Sequence, residues 1–176
     1  DVYKRQAPHG APAGQPEVPD NLLRLVVFYS RNLAVPVRRN FDAPDVRRGR
    51  ALFREIGCAA CHVPSFRTGA SAVSPHLADQ RIWPYTDLLL HDLGEDLADN
   101  RPEGHANGRE WRTPPLWGVG LTQTVSGHTF LLHDGRARNV KEAILWHGGE
   151  ARKSRETFSR LDRRDRERLI AFVNSL

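Results

Sequence analysis

Apolar residues recur at helical spacing in a few stretches of this chain, separated by long spans with no period. The stretch "DNLLRLVVFYSRNLAVP" sets Leu22, Leu25, Phe28 or Tyr29, and Leu33 along one side, with Asp20 as an N-cap candidate and Pro36 as a stop. It predicts a connecting helix. In "DVRRGRALFREIG", Pro44 and Asp45 mark a start, and Val46, Phe53 and Ile56 line up with Gly49 on one face. Glycine inside a helix is worse than alanine by about 1 kcal/mol, so Gly49 predicts a second helix crossing at close range. The natural partner is the closing "LDRRDRERLIAFVNSL", with Leu161 nearby and Leu169, Phe172, Val173 and Leu176 on one face. A shorter helix is expected in "VKEAILWHGG", opened by Asn139 and stopped by two glycines.

The span from Val63 to Val119 is rich in Pro and Gly and is broken only by the apolar "DLLLHDLG". So long a span without period counts against a compact domain unless its loops pack on something other than one another. At the start, "DVYKRQ" reads as translated sequencing adapter, and "APHGAPAGQPEVP" as a Pro/Gly-rich linker. The expected organisation is therefore 1–19 adapter-like artefact and linker, 20–43 connecting helix and linker, and 44–176 one domain with a full core.

Composition narrows the classes. The net charge is +5 and the pI about 9.8, but Arg is scattered among Asp and Glu, so the basicity reads as a solvated surface and no nucleic-acid partner is expected. No stretch approaches the ~18 apolar residues of a membrane span. With 12 Pro, 14 Gly and 39% hydrophobic residues, the chain fits a domain rich in loops.

The chemistry lies in "GCAACHVP", Gly57 to Pro64. Cys58 and Cys61 are the chain's 2 cysteines, so no disulfide framework is available. A C-x-x-C pair followed at once by His is the attachment motif of a c-type haem: Cys58 and Cys61 would hold the vinyl groups and His62 the iron. A structural zinc site commonly needs a second ligand pair, which only His76 or His91 could begin to complete. Haem also explains the irregular span, because loops can pack on the macrocycle. Its covalent attachment is carried out outside the cytoplasm, so a periplasmic, exported protein is expected, and the absence of a leader before Ala7 suggests that the true start is missing.

Methionine, the usual second axial ligand of an electron carrier, does not occur in the chain. His76, His91, His133 and His147 are the candidates, with an open iron as the remaining case. His147, at a helix end before Gly148 and Gly149, could present its ring to a flat ligand that the glycines allow close. His91 and His133 each precede an Asp that could fix an imidazole by hydrogen bonding, so contact with a ligand histidine or a propionate is expected of them. Arg112 and Arg136 are candidate propionate partners. Trp111, Trp117 and Trp146 are expected on the ring or in the core.

The stretch "GRALFREIGCAACH" is similar to the first helix of cytochrome c domains. The blocks "PYTDLLLHDLGEDLAD", "EWRTPPLWGVG", "LLHDGRARNVKEAILWHGGEA" and "LIAFVNSL" resemble, in order, the C-terminal haem domain of the di-haem oxidoreductase family, a peroxidase-like or thiol oxidoreductase group related to bacterial di-haem cytochrome c peroxidases and methylamine-utilisation di-haem enzymes. The resemblance runs from Asp20 to Leu176 and implies an all-α, cytochrome c-like haem domain with long loops, preceded by a connecting helix. It also implies a sixth ligand at His147, where the related peroxidases carry the distal methionine of an "EAV--MG" helix. A calcium ion on the Thr113 and Pro115 carbonyls at the domain interface is a further implication.

One haem motif stands where the family carries two, so a missing N-terminal haem domain is expected as a partner, beside a redox partner protein. With both axial positions taken by His62 and His147, this haem would transfer electrons, and catalysis would belong to the other half of a periplasmic oxidoreductase. The alternatives are a standalone monohaem carrier and a five-coordinate, peroxidatic haem domain.

Overall fold

The computed structural model describes residues 16–70 and 74–176. The adapter-like start and most of the linker of 1–19 fall outside them. Contacts divide the chain into two units, Asp1–Val35 and Pro36–Leu176. In the first, helix α1 spans Asp20–Asn32 and starts one residue earlier than an Asp20 cap would give, with Pro19 as the cap residue. The amides of Leu22 and Leu23 both donate to the Pro19 carbonyl at 3.0 Å.

The second unit is built on a helix crossing. Helix α2, Pro44–Glu55, carries its proline in the first turn, where φ is already helical and the missing N–H is not needed. It buries Val46, Gly49, Leu52 and Phe53. A Cβ on Gly49 would collide with the Arg168 carbonyl and sit 2.8 Å from the Phe172 Cβ, so this glycine is where α2 meets the last helix, α6, Arg163–Asn174. The Phe53 and Phe172 rings meet edge-on at 5.2 Å. Arg168 to Asp45 at 2.8 Å and Arg48 to Asp165 at 3.2 Å tie the same two helices along their flank. The core around the crossing holds Val46, Leu52, Phe53, Ile56, Tyr85, Leu169 and Phe172, with Val140 and Phe158 contributed by shorter helices.

Helix α3 is Thr122–Ser126 and α4 is Val140–Trp146. Asn139 caps α4 as its sequence predicts, its side chain accepting from the Glu142 amide at 2.9 Å. The closing helix forms as expected, burying Leu169, Phe172 and Val173, but a further helix, α5, Arg152–Arg160, precedes it and buries Phe158 completely. Asp162 separates the two and caps α6, accepting from the Asp165 amide at 2.7 Å.

The all-α expectation needs correction in the long irregular span. Strands β1, Phe66–Arg67, and β2, Arg81–Ile82, form one small antiparallel pair. Strands β3, Leu90–Asp92, and β4, Glu110–Arg112, form another, with His91 opposite Trp111. Pairs of two or three residues are too short to show an alternating pattern. The fold is helical with small sheets. Among the described residues no helix is long and apolar enough to cross a membrane.

Candidate functional site

Gly57 ends the α2 segment in the left-handed region, φ +95, and turns the chain into a single 3-10 turn, Cys58–Ala60. That turn puts Cys58, Cys61 and His62 in sequence beneath Phe53, whose ring centre lies 6.1 Å from that of His62. The His62 amide donates to the Cys58 carbonyl at 3.0 Å. The His62 ring is fixed from behind by the Tyr85 carbonyl, 3.0 Å from Nδ1. Tyr85 holds φ +54, a conformation that costs a non-glycine residue about 1–2 kcal/mol, and from it that carbonyl faces the imidazole.

His147 arrives from the other end of the chain as the C-cap residue of α4. Its Nδ1 lies 2.6 Å from the Ala143 carbonyl, one turn back. The two imidazoles come together with ring centres 6.5 Å apart and planes 50° apart. A carbonyl can only accept, so each Nδ1 carries the proton and donates, which leaves each Nε2 with its lone pair free. Burial pushes His62 down to about 4, against the raising effect of its hydrogen bond to Tyr85. Burial likewise lowers His147, against its bond to Ala143. Both rings are thus held neutral, which is the metal-binding form.

The pair can be tested against a shared metal. Metal–imidazole bonds of about 2.0 Å and a ring radius of about 1.1 Å, from ring bonds of about 1.33 Å, put two opposed ring centres about 6.2 Å apart. The observed 6.5 Å fits, as does the anchoring of both Nδ1 atoms. Cys58 and Cys61, just before His62 in the chain, supply the two thiols that covalent attachment of a haem uses. Burial keeps both thiols protonated, raising Cys58 to about 12 and raising Cys61 too.

His91 does not lie free for iron. Its Nδ1 is 2.9 Å from Glu150 and its Nε2 2.8 Å from Asp87. Two carboxylates hold both nitrogens as donors, and the bond to Glu150 is the largest cause of its raised pKa. Cys61, Asp87 and His91 do approach as a potential metal-ligating group, but both imidazole nitrogens are already spoken for. Asp92, the following residue, is not the partner that fixes His91; its carboxylate caps the Gly94 amide instead. His133 stacks on Trp111 at 3.6 Å, with Asp134 at 3.9 Å. His76 sits in a 3-10 turn, exposed.

The glycines after His147 allow a close backbone approach. A Cβ on Gly148 would meet the Leu93 carbonyl at 2.6 Å, and one on Gly149 would run into the Asp92 carbonyl. Arg136 pairs with Asp134 at 2.6 Å, and its guanidinium covers the Trp146 ring at 4.9 Å. Arg112 is exposed on β4, and Trp117 is half-buried. The Thr113 carbonyl accepts the Thr86 hydroxyl at 2.6 Å in a buried bond that ties the Tyr85 turn to β4. The Tyr85 carbonyl and the Glu150 clamp gave no sequence signal, the first being backbone and the second 59 residues from its histidine.

A family model described as "Di-haem oxidoreductase, putative peroxidase" matches residues 5–176. No curated protein matches the chain. Among solved structures, hydrazine synthase of Kuenenia stuttgartiensis, pressurised with 20 bar xenon, matches with a TM-score of 0.56 and 18% identity. That match covers 90% of this chain and 56% of the other, so the likeness is one of fold and the chain spans little more than half of that neighbour.

Proposed function

This chain belongs to the di-haem oxidoreductase family, whose function is haem-based redox chemistry, and from that premise we propose that it is the C-terminal, electron-transferring haem domain of a periplasmic, peroxidase-like enzyme. Cys58 and Cys61 would hold one haem c covalently, and His62 and His147 would ligate its iron. The observation that carries the proposal is the pair of neutral imidazoles, 6.5 Å between centres, each anchored through Nδ1.

When bound, haem supplies one-electron transfer. The protein's part is to hold two neutral imidazoles ready and to keep them in place. Tyr85 and Ala143 fix the tautomers. Phe53 packs beside His62, and the Asp87–His91–Glu150 clamp holds the turn after β3 against the segment that follows His147. With His62 and His147 both committed to the iron, a substrate would find no position on it, and the chemistry supplied would be electron passage rather than bond breaking. The domain then serves a second haem domain and an external redox protein, with the cytochrome c-like core of α2 and α6 as its frame. A calcium ion at Thr113 and Pro115 rests on family resemblance alone. Carbon monoxide tests the proposal: the reduced, haem-loaded chain is expected not to bind it readily, and a His147→Ala variant to bind it at once. Equal binding by both would contradict the role of His147.

A further inference from the structure

Behind the proximal histidine, polar donors are buried together without an acceptor. Among the described residues, Arg38 Nε and NH2, Arg39 NH1, Arg50 Nε and the Tyr85 hydroxyl are buried with no hydrogen-bond partner. Tyr85 is only 1% exposed. The groups share one neighbourhood. The Arg38 guanidinium lies 5.4 Å from the centre of the Phe172 ring, and the Tyr85 ring packs against the same Phe172 at 5.6 Å. Burial lowers the pKa of Arg38, Tyr85 opposes that effect, and the charge of Arg50 adds to it, so Arg38 responds to both neighbours.

A guanidinium has only donors to offer, and two of them beside a phenol make a set that lacks negative charge. Buried donors of like charge are costly to leave unmatched, and an oxyanion satisfies all of them through charge-assisted hydrogen bonds. Arg39, next in the chain, leaves NH1 unpaired, but its NH2 donates to the Asn174 and Leu176 carbonyls at 2.6 and 3.2 Å and fastens this segment to the end of α6. The backbone carbonyl of the same Tyr85 anchors Nδ1 of His62.

We propose that Arg38, Arg50 and Tyr85 form a binding site for a single carboxylate or other oxyanion. The site takes its charge from the two arginines, and its selectivity for an acceptor oxygen from the phenol. It does not rest on the pairing of His62 with His147. Two sources offer the same chemistry, a free oxyanion and a propionate of the bound haem, and one set of variants separates them.

Thermal midpoints of the haem-loaded chain are measured against inorganic phosphate at fixed ionic strength, for wild type, Arg50→Gln and Tyr85→Phe. The second variant keeps the buried ring and so guards against simple misfolding. A free oxyanion gives a saturable rise in midpoint in the wild type, with at least a tenfold weaker apparent affinity in each variant. A propionate gives no saturable phosphate effect, but shifts the propionate bending band in the resonance Raman spectrum of both variants. Neither a saturable effect nor a shifted band overturns the site.

Discussion

The two halves of the haem-binding unit are held by different forces. The α2–α6 crossing with the Cys58–His62 turn rests on apolar side chains, among them Phe53, Leu169 and Phe172, all at 3% exposure or less. The half that brings His147 rests on polar clamps: the Asn139 cap on α4 and His91 between Asp87 and Glu150. Both imidazoles are buried and anchored through Nδ1 to a backbone carbonyl, so the contrast lies in the segments that carry them: packing holds one, and charge and hydrogen bonds, which answer to pH, hold the other. Variants on the two sides should fail in different ways.

The largest effect is expected from Phe172→Ala. Removing a fully buried ring from the crossing costs about 3–5 kcal/mol, read as a fall in the denaturant midpoint of the whole unit. His91→Asn on the polar side comes next, at about 1–2 kcal/mol, discounted because Glu150 is more than half exposed. Its pH dependence is the sharper test. The pKa of His91 is raised by Glu150 and Asp87, so its contribution is complete below its unfolded value of 6.5 and is lost as pH rises through the higher folded value. Asp87 is pushed up by burial, but the Leu89 amide and His91 carry it below its ordinary value; Glu150 is lowered chiefly by His91. Their contribution is lost as pH falls through those lowered values. The difference in stability between wild type and His91→Asn should be greatest between about pH 4.5 and 6.5 and shrink on either side. A difference that does not change with pH would show that the clamp is not ionic.

These two sides were also unequally legible. Gly49 announced the crossing because a glycine on an apolar helix face has few other uses, and the packing of Arg168 and Phe172 against it is the observed reason. The Cys58–His62 motif is local and was readable as it stands, as was the Asn139 cap. Helix α5 escaped notice because only Phe158 of "RKSRETFSR" is buried, too little to display a period. The β pairs escaped because their strands are two or three residues long. His91 was expected to lean on the adjacent Asp92, but its partners come from four residues back and from the far side of His147. The unpaired buried guanidinium atoms among the described residues, those of Arg38, Arg39 and Arg50, carried no sequence signal. Sequence spacing identifies a helix face or a contiguous motif, but not which distant charge turns toward it.

Smaller effects complete the contrast. Asn139→Ala removes the α4 cap and should cost about 1 kcal/mol, with faster amide exchange in the first turn of α4 and little change around α2. Glu167→Gln breaks the exposed pair with Arg163 and should leave the denaturant midpoint unchanged within error on both sides.

Low-temperature EPR of the ferric, haem-loaded chain beside His147→Ala addresses the paired imidazoles most directly. A low-spin signal in the wild type that gives way to high-spin iron in the variant is the predicted result. A high-spin wild type, or a variant whose spectrum does not change, would contradict ligation by His147.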